Sequence, residues 1–192
     1  MNSLLIIAHP NKNSFSHVLA EDYKEAKKKV WHNNVHIIDL YESERRQDYL
    51  QLNETNRYLE DPLRVKHQEQ ITRADEIVFF FPLWWFDCPA ILKNRFDTNY
   101  TPWFAYKYRP KSAIPEKLLT NKNVRTVVTT GGPRWLYKTL WWIIIVLPRF
   151  FGRIDYVGMK LSSRTWFTDM NDYHTKESRN RMREKIKKLA RK

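Results

Sequence analysis

A chain of 192 residues and 23.4 kDa is long enough to bury one ordinary hydrophobic core and short for two independent ones, so a single domain over residues 1–192 is expected. Its one cysteine, Cys88, excludes an internal disulfide framework, and no Cys/His spacing of the zinc type occurs, which makes a reducing compartment, the cytoplasm, the expected location. The net charge of +13 invites a nucleic-acid partner, but nine Lys or Arg against two Glu lie between Lys176 and Lys192, and no nucleic-acid-binding motif accompanies them, so none is expected.

The first residues, Met1 to Ala8, lack a basic n-region, and their apolar run is too short for a secretory signal. They read as a buried strand from Ser3 to Ala8. The loop that follows, His9-Pro10-Asn11-Lys12-Asn13-Ser14-Phe15-Ser16, has no Gly and matches neither G-x-G-x-x-G nor a Walker A loop. Two readings stay open for it. Ser14 and Ser16 offer hydroxyls, His9 can donate to an anion, and a helix start offers free N–H groups, all of which suit a phosphate; a plain helix cap with a loop histidine uses the same residues. The helix is expected over Ser16 to Val30, with Phe15, Val18, Leu19, Tyr23 and Ala26 on one face.

A second strand is expected from Asn34 to Leu40, then an irregular polar excursion from Tyr41 to Asp61, then a helix from Pro62 to Arg73 with Pro62 in its first turn. His32 and His36 are four apart, but His36 falls in the strand, so they share no face and no metal site is expected. The third strand, Glu76 to Phe81, is apolar at every position from Ile77 onward, as a central parallel strand covered on both faces should be. Its loop, Pro82-Leu83-Trp84-Trp85-Phe86-Asp87-Cys88-Pro89, crowds large rings at a strand end, where they suit stacking on a planar ligand or core packing. No histidine lies within that loop to lower the Cys88 pKa, so the thiol reads as a bystander.

A helix from Pro89 to Thr98 leads to a second irregular stretch, Asn99 to Asn123, which carries Trp103, Phe104, Tyr106 and Tyr108. The fourth strand, Asn123 to Thr130, runs into Gly131-Gly132, half of the four glycines in the chain. A Gly pair at a strand end lets the backbone approach a flat ligand with no Cβ in the way, and a simple turn is the alternative. A short helix is expected around Tyr137 to Phe150, interrupted by Pro148. The apolar run inside it, Leu140 to Leu147, falls far short of the roughly 20 residues that span a bilayer. The fifth strand is expected from Ile154 to Ser162. The last helix, Lys176 to Arg191, places Met182, Ile186, Leu189 and Ala190 on an apolar stripe opposite a basic face, which is either simply solvated or suited to peripheral contact with an anionic membrane.

Strands and helices thus alternate, the pattern of a doubly wound α/β sheet of five parallel strands with helices on both faces. In such a sheet the ligand lies beyond the carboxyl ends of the strands, so the loops at His9 to Ser16, Pro82 to Pro89 and Gly131 to Tyr137 should converge.

Taken in order, Ala8-His9-Pro10 with Ser14-Phe15-Ser16, Phe81 to Phe86 with Pro89-Ala90-Ile91-Leu92-Lys93, Phe104 to Tyr108, and Thr129 to Gly132 with Tyr137 resemble the flavodoxin-like NAD(P)H:quinone oxidoreductases. That group includes mammalian quinone reductase and the bacterial ancillary proteins of potassium-efflux systems. The resemblance implies strand order 2-1-3-4-5 and a flavin, FAD or FMN, with NADH or NADPH as hydride donor and a quinone or similar electrophile as acceptor. It implies that His9, Ser14, Phe15 and Ser16 hold the flavin phosphate, that Pro82, Leu83, Trp84, Trp85 and Phe86 lie along the ring, and that Thr129, Gly131 and Gly132 bond its polar edge. Gln68 matches a glutamine near the cofactor, and Tyr137 a catalytic tyrosine near the flavin carbonyl edge. Tyr106 and Tyr108 match the aromatic pair that walls the substrate pocket from the other subunit of a homodimer. The histidine that mammalian-type members place six residues after that tyrosine is Ile143 here, with Arg134 and Lys138 nearby as alternative cations. A second reading follows from the same resemblance: a flavin-binding regulatory or membrane-associated partner of the potassium-efflux ancillary type.

Overall fold

The computed structural model describes residues 1–31, 34–55, 57–133, 135, 147–170 and 175–192. Five strands, β1 (Ser3–Ile7), β2 (Val35–Asp39), β3 (Glu76–Pro82), β6 (Asn123–Thr129) and β7 (Lys160–Phe167), form one sheet in the order β2-β1-β3-β6-β7. Every neighbouring pair is parallel, with Ile6 opposite both Ile38 and Phe79, and Phe80 opposite Val127. This is the expected 2-1-3-4-5 order of a flavodoxin-like sheet. The direction of winding reverses between β1 and β3, which opens a crevice at their carboxyl ends.

Side chains alternate across the sheet, so each strand feeds two cores. Leu5, Ile7, Val78, Phe80 and Val127 face α1 (Phe15–Trp31) and α5 (Lys176–Ala190), where Leu19, Tyr23, Ile186 and Ala190 are buried against them. Leu4, Ile6, Ile77, Phe79 and Phe81 face α2 (Pro62–Arg73), α3 (Ala90–Asn99) and α4 (Leu147–Tyr156), with Ile71, Leu92, Phe96, Phe150 and Ile154 buried there. Each such Leu, Ile or Phe contributes about 1.5–3 kcal/mol by leaving water. The apolar stripe expected on the last helix is real and is used inside the protein. Arg183 also reaches back to the buried Asp22 of α1 at 2.6 Å.

Two boundaries differ from expectation. The fifth strand begins at Lys160, not Ile154, because Phe150, Phe151 and Ile154 of α4, with Val157 just past its end, recur at helical spacing and bury as one face. Pro148 sits in the first turn of α4, where its missing N–H costs nothing, so it starts the helix instead of interrupting one. Gly158, at φ +90°, ends α4: its N–H bonds the Asp155 carbonyl and the Met159 N–H bonds the Ile154 carbonyl, the paired closure of a Schellman motif. Residues 137–146 of the expected short helix lie outside the described residues.

The two irregular stretches are pinned by specific contacts. Gln47 inserts its amide into a polar cluster on α2 and α3, meeting Asp61 at 2.8 Å, Asn99 at 2.7 Å and His67 at 3.1 Å. In the second stretch, β4 (Tyr106–Lys107) pairs antiparallel with β5 (Glu116–Lys117), a small ladder that sequence patterning does not reveal.

Candidate functional site

The loops after β1, β3 and β6 converge, as expected, on a cleft of about 500 Å³ at the carboxyl ends of these strands. Its wall includes His9, Ser14, Phe15, Ser16, Pro82, Leu83, Trp84, Thr129 and Gly131, nine of the residues expected there. Backbone bonds lock the loops together: the Leu83 N–H donates to the Thr129 carbonyl at 2.8 Å, and the Asp169 and Met170 N–H groups donate to Gly132 and Thr130.

One end of the cleft is polar. Ser14 turns its carbonyl into the first turn of α1, accepting from His17 and Val18, and the first N–H groups of a helix have no partner within it. Ser16 is buried, and its Oγ has no hydrogen-bond partner among the described residues. A buried hydroxyl left unmatched costs about 1–3 kcal/mol, a cost that a phosphate oxygen would relieve. Burial pushes the His9 pKa below its ordinary value, and His17 opposes protonation further, while the Asn11 contact and Asp39 work the other way. Its Nδ1 lies 3.1 Å from the Asn11 nitrogen and 3.2 Å from the Asn11 carbonyl oxygen, so it accepts from the first or donates to the second according to the tautomer. Arg179, from the first turn of α5, brings a cation to the cleft wall.

The other end is aromatic. Trp84 and Asp87 exchange backbone hydrogen bonds at 3.0 Å across a tight turn whose central residues, Trp85 and Phe86, have φ of +50° and +60°. Those are the angles of a type I′ turn, usually filled by Asn or Gly, and two bulky rings there carry backbone strain. The turn is held from outside by Arg153 of α4, which meets both carboxylate oxygens of Asp87 at 3.0 and 3.3 Å. Burial works against the Asp87 charge, but Arg153 and the Cys88 N–H outweigh it and leave the carboxyl below its usual range. Trp85 projects almost wholly into solvent, 94 % exposed, and Phe86 is half exposed; neither belongs to the cleft wall. Burial raises the neighbouring Cys88 thiol to about 12, so it holds its proton.

The remaining expected residues lie elsewhere. Gly132 flanks the cleft, its N–H on the Thr130 hydroxyl at 3.3 Å. Gln68 donates to the Asn99 carbonyl at 2.9 Å and the Thr101 hydroxyl at 3.1 Å, bracing α2 against the end of α3. Tyr106 lines a separate groove with Leu50, Tyr58, Phe96, Tyr100 and Tyr156, and Tyr108 bonds Tyr156 through their hydroxyls at 2.9 Å. Tyr137, with Arg134, Lys138 and Ile143, lies outside the described residues. Met170 and Arg179 belong to the cleft wall but were not expected there: placing the fifth strand too early hid the loop after it, and Arg179 read as part of a solvated basic face.

The sequence matches the flavodoxin-like fold family over residues 1–190, all but the last two residues of the chain. The chain belongs to this family. Among its relatives, NAD(P)H dehydrogenase [quinone] 1 of Cavia porcellus is 31 % identical over an alignment of 158 residues that covers 71 % of this chain and 55 % of that protein. An uncharacterized NAD(P)H oxidoreductase of Haemophilus influenzae is 33 % identical over an alignment of 145 residues that covers 72 % of this chain and 68 % of that one. The chain thus spans little more than half the length of the mammalian relative. The NAD(P)H:quinone oxidoreductase of Methanothermobacter marburgensis superposes with a TM-score of 0.79, covering 100 % of this chain and 98 % of that one at 23 % identity, a likeness of fold.

Proposed function

We propose that the cleft holds a flavin, FMN or FAD, and that the protein is a flavin-dependent NAD(P)H oxidoreductase acting on a quinone or a similar electrophile. The observation that carries this reading is the pairing, within one cleft, of an anion cradle at the start of α1 with a ring wall at Pro82, Leu83 and Trp84. The relatives named for NAD(P)H oxidation and quinone reduction support the same class. When bound, the flavin would supply hydride acceptance and donation.

The residues then have distinct tasks. Ser14, Ser16, the free N–H groups of α1 and Arg179 would hold the phosphate and orient the ring by its tail. Pro82, Leu83 and Trp84 would exclude water from one face. The loop from Thr129 to Gly132 would present backbone donors to the ring's polar edge, where negative charge develops on reduction. Tyr137 would add to that edge. Trp85 and Phe86, raised on the strained turn, stand free to contact an acceptor. In a homodimer, Tyr106 and Tyr108 of a second copy of the chain would wall the acceptor pocket at this cleft.

Steady-state assay tests the reading. Protein saturated with FMN or FAD should oxidise NADH or NADPH with a benzoquinone as acceptor and give parallel double-reciprocal lines, the pattern of alternate donor and acceptor turnover. Protein that takes up no flavin and oxidises no nicotinamide would refute it.

A further inference from the structure

Ser14, in the wall of the cleft, begins a continuous hydrogen-bonded chain that runs behind it through His17 to Asp39. Ser14 Oγ lies 2.9 Å from His17 Nδ1, and His17 Nε2 lies 3.0 Å from Asp39 Oδ2. The other carboxylate oxygen of Asp39 accepts the Tyr41 N–H at 3.0 Å. The chain is sheltered, with Asp39 and Ser14 buried and His17 nearly so. The expected cofactor contacts explain Ser14 but give no role to the two residues behind it.

Hydrogen-bond chemistry fixes what this chain does. A carboxylate only accepts, so His17 Nε2 carries a proton. If the ring is neutral, Nδ1 is an acceptor, and the hydrogen that fills the 2.9 Å contact is that of Ser14 itself. Ser14 then turns only lone pairs toward the cleft, which an anion meets as repulsion. If the ring is protonated, Nδ1–H donates to Ser14 Oγ, and the Ser14 hydrogen is released to donate into the cleft. The same heavy-atom geometry therefore has one state closed to an anion and one open to it. The buried, unpartnered Ser16 Oγ in the same wall marks where the anion's oxygens would sit.

We propose that binding of the cofactor's phosphate in this cleft is coupled to uptake of a proton by His17, with Asp39 setting the tautomer and Ser14 reading it out. The proposal rests on the flavin reading above. Other charged or titratable groups around His17 are His9, from the loop after β1 with ring centroids 6.4 Å apart, Arg179 of α5 on the same cleft wall, and Arg46, which acts on Tyr41 beside Asp39. Arginine side chains do not lose their charge between pH 7 and 8.5, and burial holds His9 toward its neutral form, so the proposal assigns the linked proton to His17.

The test is the affinity for FMN between pH 7 and 8.5, where a phosphomonoester, with its second pKa near ~6, is already a dianion. The wild-type dissociation constant should rise toward about tenfold per pH unit, and calorimetry in buffers of different ionisation enthalpy should show proton uptake approaching one per FMN. Riboflavin, which has no phosphate, should bind with no pH dependence. In Asp39→Asn the Tyr41 N–H keeps the amide oxygen in the place of Oδ1, so the amide NH₂ donates to His17 Nε2 and moves the ring proton to Nδ1. Ser14 is then released at every pH, and FMN affinity should be flat with no proton uptake. His17→Phe should be flat as well, and serves if Asp39→Asn fails to fold. Equal pH slopes in wild type and in a folded variant, or FMN binding without proton uptake, would overturn the coupling. If neither FMN nor FAD binds, the flavin reading fails separately. The same comparison with inorganic sulfate, which does not titrate here, then decides the coupling: a wild-type slope lost in the variants upholds it, and a flat wild-type response overturns it.

Discussion

Of the buried side chains whose polar atoms lack a partner among the described residues, Ser16 is the one that lines the cleft, and its chemistry suits a phosphate. Its hydroxyl is buried and unmatched. Ser16→Ala should therefore leave the thermal midpoint of the flavin-free protein unchanged or slightly raised, since it removes an unmet polar atom, while weakening FMN binding about 5- to 20-fold, roughly 1–2 kcal/mol. A thermal melt and a binding titration of the one variant separate the two effects. His67 gives a second prediction. Burial, with Arg95 and Arg45 nearby, drives its pKa down to about 3, against the pull of Asn99 and Asp61. An unfolded histidine titrates near ~6.5, so its neutral form favours the folded state above that pH, and stability is lost as pH falls from there toward 3, by about 1 kcal/mol per pH unit. His67→Gln should flatten the decline in urea midpoint between pH 6.5 and 4.5. At this scale the meeting of His9, Ser14 and Ser16 at one cleft was legible because the loop after the first strand runs into a helix start at the carboxyl end of the sheet. The role of His17 was not, because its tautomer depends on Asp39, twenty-two residues away in sequence.

Among the elements, the turn at Trp84 to Asp87 shows how strain and function are joined. Two rings at positive φ are tolerated because Arg153 ties Asp87 down from α4. Arg153→Met should free the turn: amide exchange at Trp84 and Asp87 should speed at least tenfold, and stability should fall by about 1–3 kcal/mol as Asp87 loses its partner. The aromatic character of this loop was plain in the sequence, but its tight reversal was not, since no Gly or Asn marks it. The end of α4 is the converse case. Gly158 lies where an added Cβ would come within 2.7 Å of the Lys117 Cβ, at a backbone angle that side chains rarely adopt. Gly158→Ala should cost about 1–3 kcal/mol, read as a shift in denaturant midpoint. Gly158, Pro148 and the spacing of Phe150, Ile154 and Val157 together mark this helix in the sequence. The β-branched and aromatic residues from Ile154 to Val157 drew the strand boundary the wrong way.

Across the molecule, the sheet separates stability from function. At the amino ends of the strands, Glu76 is fully buried against Lys27 at 3.2 Å, Arg125 at 3.0 Å and the Ser3 hydroxyl at 2.9 Å, a charge cluster far from the cleft along β3. At the carboxyl ends lie the strained turn, the orphaned hydroxyl and the tautomer chain. The sheet order was legible because uninterrupted apolar strands alternating with amphipathic helices leave few other arrangements. The short β4–β5 ladder was not, since two-residue strands have no period to read. The central claim is that the cleft between the ends of β1, β3 and β6 takes one flavin by its phosphate. A fluorescence titration of flavin-free protein with FMN tests it most directly: the account predicts saturation at one FMN per chain, with riboflavin at least tenfold weaker and Ser16→Ala reducing the difference. Saturable FMN binding indifferent to the phosphate and to Ser16, or no binding at all, would contradict it.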